Sequence, residues 1–295
     1  MTNATIENKV KSVISNIRNL PTPPIVFHQI QKVINDPNVN ATKVANILAE
    51  DPAMSVKVLR LTNSAFYGLS KEIESVKQAV VIVGFEAIKN LVLSASVLDM
   101  FKDKTIDQEA QEKYWRHSLS SALCCRILAK QIKSRGLVDP DSAFSAGLLH
   151  DVGKMIFSCF LPEEYLEFKE QRTRDMVSQD FEVEDRAFGY THAQIGSFLG
   201  TMWKIPQKLT DAIYYHHTPT LYHGEEALPY IVYLANWLSK KTFYDSTEDH
   251  LVGDIDPEVL SYLDVSEEKL EVYGEMLREE YAKSETFMQM VGISA

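Results

Sequence analysis

Cysteine is scarce: Cys124, Cys125 and Cys159 are the only three in 295 residues. The count is odd and the neighbours Cys124 and Cys125 pair poorly with each other, so no disulfide scaffold is encoded and the thiols read as reduced. Long apolar runs are missing as well. Met1 to Asn19 carries charges throughout without an apolar core of signal-peptide length, and no uninterrupted apolar stretch reaches about 18 residues. The expectation is a cytoplasmic protein with no membrane partner. Net positive charge is also absent: the formal charge is -11, which repels phosphate backbones and argues against a general nucleic-acid binder. Neither a repeat of solenoid length nor a low-complexity tract is found. What is present, 45% hydrophobic and 24% charged residues, suits a globular chain with room for one large domain or two ordinary ones.

Apolar positions recur at spacings of three and four, which predicts an all-α fold. Leu20-Pro-Thr-Pro-Pro24 breaks the chain before a helix carrying Val26, Ile30, Val33 and Ile34, and Asp36-Pro37 ends it. A second helix starts near Asn40 with Val44, Ile47 and Leu48 on one face. A third opens at Asp51-Pro52 and buries Met54, Val58, Leu61 and Ala65. Ser75 caps a helix that Gly84 ends before Phe85 to Leu98 starts another. This helix, glycine, helix arrangement resembles a helix-turn-helix only loosely and lacks a Lys/Arg-rich recognition face, so DNA is not an expected partner. Lys102 to Glu112 reads as a polar bridge, Asp245 to Asp256 as an acidic loop, Asp256-Pro257 as a cap, and Ser266 as the start of the last helix. The resulting division is a lead-in over 1–18, a module over 19–240 with halves of about 19–105 and 110–240, and a helical extension over 241–295. The extension carries an amphipathic set, Leu270, Val272, Tyr273, Met276 and Leu277, suited either to packing on the module or to contact with a partner.

Phe144 to Leu161 is apolar on most sides and reads as an interior helix crossed by one polar stripe: Gly147, His150, Asp151, Lys154 and Ser158. Buried charge must be paired, hydrogen-bonded or bound to metal. His150 and Asp151, about 100° apart on a helix, can lean toward one ion, and Lys154, one turn on, can neutralise a phosphate. Mutual hydrogen bonding in a core accounts for this pair equally well. His117, His192 (preceded by Thr191 as a cap), His216 and His217 stand at separate places on helices, and in a shared core they converge as ligands.

Gly147-Leu-Leu-His-Asp-Val-Gly-Lys154 resembles the signature of the HD superfamily of metal-dependent phosphohydrolases. Leu20-Pro-Thr-Pro-Pro24, Asp51 to Ala65, the Gly84 region, Trp115-Arg-His-Ser118, Phe188-Gly-Tyr-Thr-His192, Trp203-Lys-Ile-Pro206 and His216-His217-Thr-Pro219 are, in this order, similar to the HDOD family. The resemblance, over about 19–240, implies an HDOD-type module with a helical half packed on an HD-like half, found in bacterial signalling proteins. It implies unidentified signalling proteins as partners, with a nucleotide or cyclic dinucleotide as a ligand. By resemblance to the HD-GYP phosphodiesterases, His117, His150, Asp151, His192, His216 and His217 fall on ligand positions for a divalent metal, iron or manganese first and zinc or nickel as alternatives. Lys154 falls on the phosphate-contacting lysine.

The departures are specific. Thr218-Pro-Thr-Leu-Tyr-His-Gly-Glu-Glu226 replaces the Gly-Tyr-Pro loop, Asn236 stands where the last aspartate ligand is expected and is a weaker ligand, and Lys113 replaces a carboxylate four residues before His117. The expectation is a regulatory module that keeps a metal site without catalysis. The alternative is a metal-dependent phosphohydrolase.

Overall fold

Proline and short capping side chains start the helices at residues 25, 41, 52 and 76 where the sequence pattern predicts them. The structure, a computed structural model, describes residues 3–17, 20, 23–64, 67–69, 71–102, 108–132, 138–161, 163, 165–168, 170, 180–243, 252–284 and 288–289. After helix α1 (Asn3–Asn16), Pro24 precedes α2 (Ile25–Ile34), which buries Val26, Phe27 and Ile30. The side chains of Asn40, Asp51 and Ser75 accept backbone N–H groups of Lys43, Met54 and Gln78, capping α3 (Ala41–Ala49), α4 (Pro52–Thr62) and α5 (Val76–Val83). Ala65 lies outside the described residues. Gly84 ends α5 at φ +92°, its N–H on the Val80 carbonyl. An added Cβ would meet nothing within 4 Å, so the positive φ, not space, calls for glycine. Helix α6 (Phe85–Lys102) buries Ile88, Val92, Ala95 and Val97 and packs on α2, α4 and α5. Residues 21–104 and 278–295 form one compact unit.

A second unit comprises 1–20 and 105–277. Its helix α7 (Gln108–Gln131) begins inside the expected bridge, because Lys113 on Glu109 and Arg116 on Glu112 are i,i+4 pairs that support a polar helical turn. Asp139 caps α8 (Pro140–Leu149), which is buried along Ser142 to Leu149. It crosses α7 so closely that a Cβ on Gly147 would stand 2.7 Å from Cys125 Sγ and 2.9 Å from the Ser121 carbonyl oxygen. Cys124 and Cys125 are buried and burial pushes both thiols up, which leaves them inert.

One correction concerns the segment expected as a continuous helix. It breaks at His150 and Asp151, and α9 (Val152–Phe160) begins after them. The His150 ring, through Nδ1, donates to the Gly147 carbonyl at 2.7 Å, taking the acceptor that the Asp151 N–H would use in an unbroken helix.

Further elements are α10 (Asp180–Phe188), α11 (His192–Met202), α12 (Gln207–Tyr215), a 3-10 turn at Pro219–Leu221, α13 (Leu228–Phe243), α14 (Pro257–Leu263) and α15 (Glu267–Ala282). Helix α1 packs on α11 through a face that buries Val10 and Ile14. The segment after α13 returns to the same unit: Trp237 Nε1 donates to the Gly253 carbonyl, the Asp256 N–H donates to Tyr233 Oη, and Tyr230 stacks on Tyr262. Of the amphipathic set, Leu270, Tyr273 and Leu277 are buried while Val272 is exposed. Among the described residues there is no strand, and no single helix is long and apolar enough to cross a membrane.

Candidate metal centre

Each histidine of the expected set stands at or near a helix end or on a helix face fixed by local chemistry. His192 opens α11 because Thr191 caps it in a reciprocal box with Gln194. His216 closes α12, and His217 follows before Thr218-Pro219 stops the helix. His117 comes from α7, and the His150–Asp151 break lies between α8 and α9. Gly153, in the first turn of α9, lets the backbone of His192 approach: a Cβ there would lie 1.9 Å from the His192 carbonyl oxygen.

Asp151, 1% exposed, is the hub. Its Oδ1 lies 3.1 Å from His192 Nε2 and 3.5 Å from His216 Nε2, and its Oδ2 3.4 Å from His150 Nε2 and 3.7 Å from His117 Nε2. His192 Nε2 is also 3.0 Å from His217 Nε2 and 3.4 Å from His216 Nε2. Asp151, His192, His216 and His217 form one group able to hold a metal ion, and His117, His150 and Asp151 a second that shares the carboxylate.

The second ring nitrogens decide what the inner ones present. Nδ1 of His150 donates to the Gly147 carbonyl and Nδ1 of His216 to the Ile213 carbonyl, each at 2.7 Å, which leaves Nε2 with its lone pair turned inward. His192 Nδ1 donates to Glu184 Oε2 at 2.7 Å. Burial drives the His117, His150, His216 and His217 imidazoles to the neutral form, His150 down to about 3. For His192 burial acts the same way and is the largest influence, yet the Glu184 carboxylate, its hydrogen bond to the ring and the contact with Asp151 together outweigh it and raise the ring to about 9. Burial opposes ionisation of Asp151, but His150, the Lys154 ammonium and the His192 ring beside it hold it well below the carboxylate range.

This donor set fits a metal. Ligand atoms about 2.1 Å from one ion stand roughly 3.0 to 3.5 Å apart, the range of most separations here. Close inward lone pairs beside a carboxylate repel one another unless a cation or proton stands among them, and His150 Nε2 makes no hydrogen bond.

Lys154 is committed within the protein: its Nζ lies 2.9 Å from Asp151 Oδ2 and 3.0 Å from Asp180 Oδ2, and the two carboxylates keep it charged against the effect of burial. Asn236 on α13 is 5% exposed and its Oδ1 makes no hydrogen bond. One turn on, Lys240 acts electrostatically on His117 and His217, which puts this face of α13 beside the cluster.

Four contributors were not read from the sequence. On α10, Asp180 pairs with Lys154, Phe181 stacks on His217 with ring centroids 4.4 Å apart, and Glu184 holds His192. On α7, Tyr114 is raised by burial and by Asp151 beside it. The available signal was the helix face Asp180, Phe181 and Glu184 just ahead of Gly189-Tyr-Thr-His192.

An HDOD domain profile matches residues 20–219. Among curated proteins, an uncharacterized protein of Treponema pallidum is 27% identical over 207 residues, 70% of this chain but only 39% of the relative's length. Among solved structures, an HDOD domain protein of unknown function from Geobacter sulfurreducens superposes with a TM-score of 0.78 at 23% identity, covering 97% of this chain and 100% of that one. A proposed signal transduction protein from Marinobacter aquaeolei VT8 gives 0.80 at 20% identity, covering 98% of this chain and 66% of that one. At these identities the structural likeness speaks for the fold.

Proposed function

The chain belongs to the HDOD family, and from that membership and the geometry of its cluster we propose a regulatory signalling module whose HD-like half holds a divalent metal, iron or manganese, without catalysing phosphate-ester hydrolysis. The observation that carries the reading is the state of Lys154. A lysine that stabilised charge on a transferring phosphoryl group would need donors directed at the ligand, whereas this ammonium is bound between Asp151 and Asp180. The ligand side chains of His150, Asp151, His192 and His216 are at most 2% exposed, which favours a closed, structural site over one built for substrate exchange. Asn236 in place of an aspartate and the missing Gly-Tyr-Pro loop point the same way.

In this reading His117, His150, Asp151, His192, His216 and His217 supply the ligand atoms as two groups that share Asp151, with the Asn236 oxygen as a weak further donor. Bound there, a divalent ion would supply Lewis acidity toward water and phosphoryl oxygen. The output would be a binding event passed to a signalling partner, with a nucleotide or cyclic dinucleotide as the regulating ligand. The convergence of all six ligand-type residues favours a second reading, a metal-dependent phosphohydrolase.

Two measurements separate them. Elemental analysis of protein purified without chelator and without air should find near-stoichiometric iron or manganese, lost in a folded His150→Ala variant. Unchanged metal content in that variant would remove the cluster as the site, and metal-free stable protein would sink both metal readings. The metal-loaded protein should not hydrolyse cyclic di-GMP or nucleoside phosphates. Turnover that His150→Ala abolishes would establish the phosphohydrolase instead.

A further inference from the structure

We propose that Glu184 is the positioning residue of the metal centre, the side chain that fixes His192 with Nε2 turned toward the ion. The inference rests on the metal reading above and deepens it. Glu184 is 2% exposed, and its Oε2 accepts both the His192 backbone N–H and Nδ1–H, each at 2.7 Å. Two bonds from one oxygen fix the backbone at the start of α11 and the plane of the ring together. A carboxylate on the outer nitrogen of a ligating imidazole sets its tautomer and raises the basicity of the inner nitrogen.

The comparison with its neighbours singles this residue out. His150 and His216 anchor their Nδ1 atoms on carbonyls three residues earlier in their own helices, so side-chain replacement elsewhere leaves those bonds in place. His192 is the first residue of its helix and has no preceding turn to supply a carbonyl. Its anchor comes from another helix, α10, eight residues back. Among the contacts between ligand-type atoms, those of His192 Nε2 are the shortest, 3.0 Å to His217 and 3.1 Å to Asp151, so a turn of this ring would open the Asp151, His192, His216 and His217 group.

The experiment uses the full chain, stripped and titrated with Co2+ alone against a competing chelator, with the visible spectrum of the bound ion reporting its donor set. Glu184→Ala should bind Co2+ about 10- to 100-fold more weakly and with an altered spectrum. Glu184→Gln, whose amide oxygen still accepts both bonds, should stay within a few-fold of the native protein and keep its spectrum. Native-like affinity and spectrum in Glu184→Ala, or an equal loss in both variants, would overturn the proposal. No Co2+ binding by the native protein would overturn the metal reading and the proposal with it, a result distinct from equal binding by all three proteins. Should Glu184→Ala not fold, the native protein loaded with Zn2+ gives the answer through long-range 1H–15N correlations of His192. Nδ1 protonated with Nε2 on the metal is the expected assignment, and the reverse refutes it.

Discussion

Replacing Gly153 by alanine tests the packing that sets His192 among the other ligands. Alanine is the better helix former by about 1 kcal/mol and restricts the unfolded chain, so reasoning from α9 alone predicts a more stable protein. The tertiary structure predicts the reverse. The new Cβ would lie 1.9 Å from the His192 carbonyl oxygen, 2.7 Å from its carbon and 2.9 Å from Cα, all backbone atoms that no side-chain rotation can move. Restoring ordinary contact at 3.4 Å requires α9 and the start of α11 to separate by about 1.5 Å. Overpacking of this kind costs about 1 to 3 kcal/mol or more beyond the propensity gain. For a unit of roughly 200 residues that is a fall in Tm of about 2 to 12 °C, read by circular dichroism on metal-free protein. The same shift carries His192 Nε2 away from Asp151, now at 3.1 Å, so metal retention on dialysis should fall as well. A Gly153→Ala protein as stable as the native one or more so, with full metal content, would refute the argument that this glycine exists to admit the His192 backbone.

Metal affinity should rise about tenfold per pH unit from pH 7 and level off near 9, because His192 at about 9 is the one ligand that must shed a proton in that window while His150, His117, His216 and His217 are already neutral; a flat profile in chelator competition would contradict it. In the metal-free protein the same group, raised from 6.5, contributes roughly 3 kcal/mol that is complete below about pH 6.5 and lost as pH rises through about 9, so urea midpoints should fall across that range. Thr191→Ala removes the cap of α11, where the Thr191 hydroxyl accepts the Gln194 N–H and the Gln194 side chain accepts the Thr191 N–H. It should cost about 1 kcal/mol in urea denaturation, with Thr191→Ser recovering most of it.

Local chemistry left the fold class readable in advance: Asn40, Asp51, Ser75, Thr191 and Asp256 announce helix starts because their side chains accept the first free N–H groups, and Gly84 announces an end because it takes a positive φ. The candidate cluster was legible too, since histidines and an aspartate on apolar helices have few alternatives to one another in a core. The break between α8 and α9 was not, because periodicity cannot show a side chain taking a backbone acceptor, as His150 does at Gly147. Nor could the start of α7 be placed, since its first turns rest on ion pairs in a stretch too polar to read as helix. By itself, then, the sequence determined an all-helical fold class and the residue types of its candidate site, both properties of neighbours along the chain. Only the tertiary structure decided that Asp151 is the hub, that Lys154 is bound by Asp180, and that Glu184 holds His192, because those contacts join helices whose separation in sequence carries no information about distance in space.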